Sequence, residues 1–580
     1  MLKRLYDKRL LNFLVIIFIT IVTVNWTFYI FKEDVSLSFL SLVVILRCIS
    51  SFSLLRDYMA SWRKSTQKTF LRKVVVNIPV FIIVAIGFYG EIRFALIFSE
   101  FLSYLLLMNL SVYCYWYITN KSRVQKTKKA IVYGAGVAGV KIAEELYTTE
   151  YYVKYFVDDS QTLQKRSIDG RKIISVARLK QKLLKNEYDL LIIALPKEAN
   201  KRIKKIYKSF QKDFKQIKIM PPLEDVLQDE SYTAQLKPVS LYDLLSRDSK
   251  NLDEKSISTF IKDKVVLVTG AGGSIGSEIV RQCLKYQAKK LVLVDHSEYS
   301  LYKVSEEFGL EKLRYRLASV CDVEKIRTIF DKYQPNVVFH AAAYKHVPLV
   351  EGNAVNAIKN NVLGTKNVID VSIENNVESF ILISTDKAVR PTNIMGASKR
   401  VCELYLQNVD PKNTKLAAVR FGNVLGSSGS VIPKFERQLK SGGPLTVTHP
   451  DITRYFMLIP EACELVLQAG AIAKHSEVFV LDMGNPVKIL DLAEQFKKLC
   501  GRDEVEIQVT GLRPGEKLYE ELLIEETDAR TIYQDIFVGR KTFYDIDKLN
   551  KDMQELFSEK NSPVGVLKKI VPEFKHRLNG

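Results

Sequence analysis

What is scarce in this chain narrows it first. Across 580 residues there are six histidines and seven cysteines. The cysteines (Cys48, Cys114, Cys283, Cys321, Cys402, Cys463, Cys500) stand singly, with no CxxC pair and no metal-ligand spacing. That excludes a thiolate zinc centre or a disulfide scaffold as the organising device; free thiols of a reducing compartment are expected, and no metal site. The net charge of +20 invites nucleic acid as a partner, but no basic stripe with interleaved aromatics supports it. Much of the excess is local: residues 1–130 hold 18 Lys/Arg against 6 Asp/Glu.

Long apolar runs are plentiful at the start. Leu10–Ile30, Val35–Leu55, Val74–Ile92 and Phe94–Tyr117 each approach the roughly 20 residues that cross hydrocarbon. Basic residues precede the first (Lys3, Arg4, Lys8, Arg9), fill the second connection (Arg56, Arg63, Lys64, Lys68, Arg72, Lys73) and follow the fourth (Lys121, Arg123, Lys126). The positive-inside rule then predicts a four-helix anchor over 1–122 in a bacterial inner membrane, with both ends cytoplasmic.

Beyond the anchor the pattern alternates between buried strands and helices, the mark of α/β folds with doubly wound parallel sheets. "KKAIVYGAGVAGVKIAEEL" sets Gly134, Gly136 and Gly139 in GxGxxG spacing after a strand, with Asp158 about 20 residues on. A first Rossmann-like domain is expected over 123–225, either a nucleotide-binding regulatory module or a Rossmann-shaped spacer. A connector is expected over 226–263.

A second unit, 264–580, is better equipped. In "KVVLVTGAGGSIGSEIV" the strand ends at Thr269, and Gly270, Gly273 and Gly276, with Ser274 and Ile275 between, form a TGxxGxxG turn. Such a turn brings backbone N–H groups and a helix N-terminus to a pyrophosphate. Asp295 closes the next strand, where a carboxylate accepts both ribose hydroxyls and repels a 2′-phosphate; this favours NAD, while His296 and Ser297 leave NADP open. Polar and glycine residues then gather at successive strand ends, in "HAAAYKHVP", "STDK" and "RFGNVLGSSGS".

Residues 264–525 resemble the extended short-chain dehydrogenase/reductase family, through "TGAGGSIGSE", "HAAAYKHVP", "STDKAVRPTNIMGASKR", "RFGNVLGSSGSVIP", "THPDITRYFM" and "GLRPGEKLYEEL" in that order. Within it they resemble the membrane-anchored nucleotide-sugar 4,6-dehydratases of polysaccharide biosynthesis, the CapD-like group. The resemblance implies an extended Rossmann domain with a small C-terminal substrate-binding part and a homo-oligomer. It also implies dehydration of UDP-N-acetylglucosamine to a 2,6-dideoxy-4-keto sugar with C5 configuration retained, for glycan or glycoprotein assembly. Carried over residue by residue, Asp322 and Val323 match the adenine-contacting pair, and Ala341, Ala342 and Asn361 the cofactor cleft. Lys345 and His346 match sugar-site positions, His346 serving equally well as a packed histidine. Asn423, Arg454, Arg513 and Glu516 match a uridine-diphosphate clamp.

One position departs from the wider family. Met395 stands four residues before Lys399, where most relatives place a tyrosine that removes a hydroxyl proton. A thioether has no such proton, so the work must fall elsewhere; the long dehydratases resemble this chain in carrying Met. Asp386 and Lys387 are the available pair. Asp386 is expected to take the C4 hydroxyl proton and later protonate the C6 oxygen. Lys387, kept neutral by burial and a second cation, is expected to remove the C5 proton. Thr385 would hydrogen-bond the sugar near C4 and Lys399 the nicotinamide ribose. A 4-epimerase and a catalytically silent, nucleotide-sugar-sensing scaffold are the rival readings.

Overall fold

The computed structural model describes residues 2–54, 62, 67–120, 126–195, 200–220, 236–240, 243, 245, 252–308, 312–522, 529–558 and 562–577. Much of the expected connector, and the basic residues at 56, 63, 64, 121 and 123, lie outside them.

The N-terminal region forms four helices: α1 (Leu2–Phe31), α2 (Leu37–Ser53), α3 (Gln67–Gly87) and α4 (Phe94–Asn120). Three contain stretches long and apolar enough to cross a membrane, Asn12–Phe31, Thr69–Gly87 and Phe94–Ile118. The second apolar run is the exception and corrects the expectation of four spans. Its helix has 17 residues, because Ser36 and Leu54 both take extended backbone and stop it at each end. Polar side chains converge between these helices. The Arg47 guanidinium donates to both oxygens of Glu100 at 2.9 and 2.8 Å, and Thr23 Oγ1 donates to Glu100 Oε1 at 2.8 Å. The same guanidinium lies 3.5 Å from the centre of the Tyr104 ring.

The described chain divides into two compact units at Leu190/Leu191. In the first, β1 (Lys128–Tyr133) pairs in parallel with β2 (Tyr151–Val157); β3 (Ser167–Ile168) and β4 (Arg171–Ile174) follow, β4 parallel to β2 and antiparallel to β3. The dividing line falls inside β5 (Tyr188–Ile193); β6 (Phe214–Ile219) and β7 (Lys237–Pro238) belong to the second unit and pair antiparallel.

The main sheet of the second unit has six parallel strands in early positions: β8 (Val265–Thr269), β9 (Lys290–Asp295), β10 (Leu313–Leu317), β11 (Val337–His340), β12 (Ser379–Ile383) and β13 (Lys415–Arg420). Their order is β10-β9-β8-β11-β12-β13, continued by Glu477–Leu481 and by the antiparallel Ile536–Gly539 and Ala529–Arg530. The inner strands are apolar because both faces are covered, whereas β10 at the edge (LRYRL) is mostly half-buried. Val266, Val268, Leu291 and Leu293 join one core, and Leu267, Val292 and Val294 the other, as the alternation of strand side chains requires. Inside the expected connector, Glu254–Ile261 forms a helix capped by Asp253, and its Ile257 and Ile261 are buried in the first of these cores. A third cluster, including Leu425, Phe435, Leu445, Phe456, Leu492 and Phe496, builds the smaller C-terminal part. Winding reverses between β8 and β11, so the crevice for a ligand opens at the carboxyl ends of those strands.

Candidate active site

A cavity of about 1160 Å³ lies at that reversal, with a smaller hollow of about 210 Å³ beside it at the end of β9. Gly270, Gly273, Ser274, Ile275 and Gly276 line the larger one. The glycines are dictated by close approach. Gly270 has φ +67° with room for a Cβ only 2.7 Å from the Ala342 nitrogen, and a Cβ on Gly276 would fall 2.1 Å from the Gly270 oxygen. Asp295 lines the smaller hollow; its carboxylate accepts from the N–H groups of Gly272 at 3.0 Å and Ser297 at 2.9 Å. Ala341 and Ala342 lie on the same wall.

Three positions assigned to cofactor contacts, Asp322, Val323 and Asn361, line neither space. Asp322 caps the helix Val323–Tyr333 by accepting from the Lys325 N–H, and Val323 packs partly buried on the core. Asn361 is fully buried, accepting from the Tyr344 N–H at 2.8 Å and donating to the Tyr344 carbonyl and Ser398 Oγ, both at 3.1 Å. It fastens the loop after β11 to the helix Ile394–Asn408 from behind the wall, which its neighbour Asn360 lines.

The end of β12 carries the reactive groups. Ser384, Thr385, Lys387, Met395 and Lys399 line the large cavity, together with Lys345, His346 and Asn423. Asp386 does not: it is 0 % exposed, set behind the wall in the turn Asp386–Ala388. Its Oδ1 accepts from Thr385 Oγ1 at 2.8 Å and from Lys387 Nζ at 3.0 Å, while its Oδ2 has no hydrogen-bond partner among the described residues. Direct contact with a sugar was expected of Asp386; in this structure it is buried behind Thr385 and Lys387, which line the cavity. Lys387 Nζ also donates to Asn423 Oδ1 at 3.1 Å and stands 3.8 Å from Glu520 Oε1.

The expected neutral Lys387 is not what these surroundings favour. Burial pulls the ammonium down, but Asp386 and Glu520 outweigh it and hold the group above its ordinary value. Lys399, whose Nζ donates to the Ile383 carbonyl at 2.8 Å, is the lysine lowered by burial. Lys345 is lowered too, by burial and then by Lys387, and His346 by burial and then by Lys345. His346 packs against Gly429, where a Cβ would lie 2.4 Å from the imidazole.

Beneath the strand end sits a buried ionic group absent from the sequence reading. Glu403 accepts from Ser384 Oγ at 2.6 Å, from Arg420 at 2.7 and 2.5 Å and from Arg400 at 3.2 Å. It fixes the backbone from which Thr385 and Asp386 project. Arg454 and Glu516 pair at 3.4 Å outside the two spaces, and Arg513 is exposed, its N–H donating to Glu516 Oε2. Glu520, also missed, lies 3.7 Å from the Arg454 Nε and 3.8 Å from Lys387. Only its place in "GLRPGEKLYEEL", four residues after the matched Glu516, pointed to it.

The first glycine turn repeats part of this construction. A Cβ on Gly139 would lie 2.0 Å from the Gly134 oxygen, and Asp158 accepts from the N–H groups of Ala135 and Ser160, both at 2.9 Å.

Residues 266–541 match the family model described as polysaccharide biosynthesis protein, and residues 126–218 match one described as C2185-like, N-terminal. The capsular polysaccharide biosynthesis protein CapD of Staphylococcus aureus is 44 % identical over 487 residues, 80 % of this chain and 81 % of the relative. The probable polysaccharide biosynthesis protein EpsC of Bacillus subtilis is 45 % identical over 430 residues, 71 % of each chain. A protein of Rickettsia typhi named UDP-glucose 4-epimerase is 34 % identical over 329 residues, 55 % of this chain and 93 % of the relative. With glycine turn, strand-end cavity and these relatives in agreement, the chain belongs to the polysaccharide biosynthesis protein family.

Proposed function

We propose that the chain is a nucleotide-sugar 4,6-dehydratase acting on UDP-N-acetylglucosamine with NAD, held at a membrane by its N-terminal helices (1–122), with the domain at 264–580 cytoplasmic. The observation that carries this reading is the presence of two adjacent proton-transfer groups at one strand end, Thr385–Asp386 and Lys387. Inversion at C4 needs one such group; loss of water across C5–C6 needs a second.

The residues present suit a dinucleotide: a turn into which no Cβ fits, and a carboxylate facing the hollow at the end of β9. Gly270, Gly273 and Gly276 would hold the pyrophosphate and Asp295 the adenosine ribose. When bound, nicotinamide supplies the oxidation at C4 and the matching reduction at C6. Thr385 takes the C4 hydroxyl proton as its own passes to Asp386 Oδ1, a relay set by the 2.8 Å contact. Once C4 is a ketone the C5 proton is acidic, and Lys387 removes it. Asp386 returns its proton through Thr385 to the C6 oxygen, water leaves, and Lys387 gives its proton back to C5 as C6 is reduced. Lys345 and Asn423, which line the cavity, would hold the hexose, and Arg454 and Arg513, outside it, would meet the diphosphate.

The 4-epimerase reading draws on the name of the rickettsial relative. The test is incubation of the detergent-solubilised chain with NAD and UDP-N-acetylglucosamine. Loss of one water by mass spectrometry supports dehydration, C4 interconversion without mass change supports epimerisation, and binding without turnover supports a scaffold. Asp386→Asn is expected to abolish turnover and spare UDP-sugar binding; a near-normal rate refutes its role.

A further inference from the structure

Lys387 cannot act as a base in the arrangement observed. As the ammonium that Asp386 and Glu520 favour, it has no lone pair to meet a C–H bond: Nζ donates to Asp386 Oδ1 at 3.0 Å and Asn423 Oδ1 at 3.1 Å and stands 3.8 Å from Glu520 Oε1. One proton must leave before C5 is attacked, and the acceptor must stand beside Nζ. Asn423 offers an amide oxygen too weakly basic to keep a proton. Asp386 is used: by the time C5–H becomes acidic, it already carries the C4 hydroxyl proton.

Glu520 remains. Its side chain is 3 % exposed, and its Oε2 is buried with no hydrogen-bond partner among the described residues. The charged groups facing it are Lys387 and Asp386 from the strand end, Arg454 from Thr453–Arg454, and Lys517 from its own loop. Burial and an ionised Asp386 favour its protonated form, while Lys387, Arg454 and Lys517 oppose it; once Asp386 is protonated that push is lost, but so is the hold of Asp386 on the Lys387 ammonium. Arg454 is the variable partner: a guanidinium drawn to a substrate diphosphate leaves Glu520 less opposed to a proton.

We propose that Glu520 is a positioning residue that takes one proton from Lys387 after Asp386 has been protonated, leaving a neutral amine to remove the C5 proton. The step balances: one N–H bond of the ammonium breaks, one O–H bond forms on Glu520, and the freed pair on Nζ forms the next N–H bond with the C5 proton. The Nζ–Oε1 separation must close by about 1 Å to reach hydrogen-bond range. The inference rests on the dehydratase reading.

The test compares wild type with Glu520→Gln in the full chain, using UDP-N-acetylglucosamine in deuterated solvent. Two events are followed: reduced-nicotinamide absorbance for C4 oxidation, and water loss with solvent deuterium at C5 for elimination. Glu520→Gln is expected to develop the absorbance and to slow elimination by about 100-fold or more, so that the reduced cofactor accumulates. Elimination at the wild-type rate, or loss of both events together, overturns the proposal. Should Glu520→Gln not fold, Glu520→Asp withdraws the acceptor while keeping its charge; it should slow elimination alone, and wild-type elimination there is equally fatal. If the wild type itself loses no water, the dehydratase reading has failed; if the wild type dehydrates and Glu520→Gln does so equally fast, only the role of Glu520 has.

Discussion

Thr385 and Asp386 are neighbours in sequence that stand on opposite sides of one wall. Thr385 lines the cavity, and the carboxylate 2.8 Å from its hydroxyl is sealed from solvent. On the dehydratase reading, a carboxylate in that place would reach a sugar through the Thr385 hydroxyl. Thr385→Val keeps the shape and removes the relay, so kcat should fall by about 100-fold or more, while Thr385→Ser should keep most of it. Steady-state kinetics beside UDP-sugar calorimetry check this; a Thr385→Val enzyme near the wild-type rate would put Asp386 in direct contact with the substrate.

Met395 is 4 % exposed, lines the cavity and is part of the main core. Packing, not proton transfer, explains it. Met395→Leu should therefore cost less than about 1.5 kcal/mol in stability and leave turnover within a few-fold. A large drop in kcat with an unchanged melting temperature would assign the thioether a chemical part.

His340 offers a pH prediction. Thr365 gives its hydroxyl proton to the Asn361 carbonyl at 2.6 Å, so His340 Nε2 must donate to Thr365 and Nδ1 must accept from Thr269. Burial, then Lys399, lower this imidazole from 6.5 to about 3. Between those values the unfolded chain binds a proton that the folded chain refuses, so folding stability drops as pH falls from 6.5 towards 3. The slope from this group approaches about 1.4 kcal/mol per pH unit. Thermal melts of the full chain at neutral and mildly acidic pH should show it, and His340→Asn should flatten it.

The Arg47–Glu100 pair carries a structural prediction. Both side chains are almost wholly buried, and they tie the short α2 to α1 and α4. Arg47→Ala strands a buried carboxylate and should cost about 3–5 kcal/mol, whereas Arg47→Met with Glu100→Leu should recover much of that. Melting of the detergent-solubilised chain measures both.

The legible parts of this chain were those where neighbours in sequence are neighbours in space. The glycine turns could be read because single atoms forbid a side chain at Gly276 and Gly139, and the strands because both faces of the sheet are covered. Asp386 and Lys387 were visible for the same reason. Glu520 was not. Three glutamates crowd "GEKLYEEL", and no periodicity says that Glu516 pairs with Arg454, Glu521 with Arg390, and Glu520 turns inward. The charge of Lys387 was misread on that account: Asp386 and a nearby cation could be seen in the sequence, the second carboxylate, Glu520, could not. The second apolar run was over-read because hydropathy does not register where extended backbone at Ser36 and Leu54 cuts a helix short.

The paired aspartates have a consequence of their own. Asp295 tethers Gly272 and Ser297, and Asp158 tethers Ala135 and Ser160, so each glycine loop is stitched by its own chain. A loop stitched in this way takes its final form while the chain folds, and little ordering is left for an arriving dinucleotide to impose. The first loop is held by its own hydrogen bonds, so its tidy shape records how the chain folds and does not by itself name a guest.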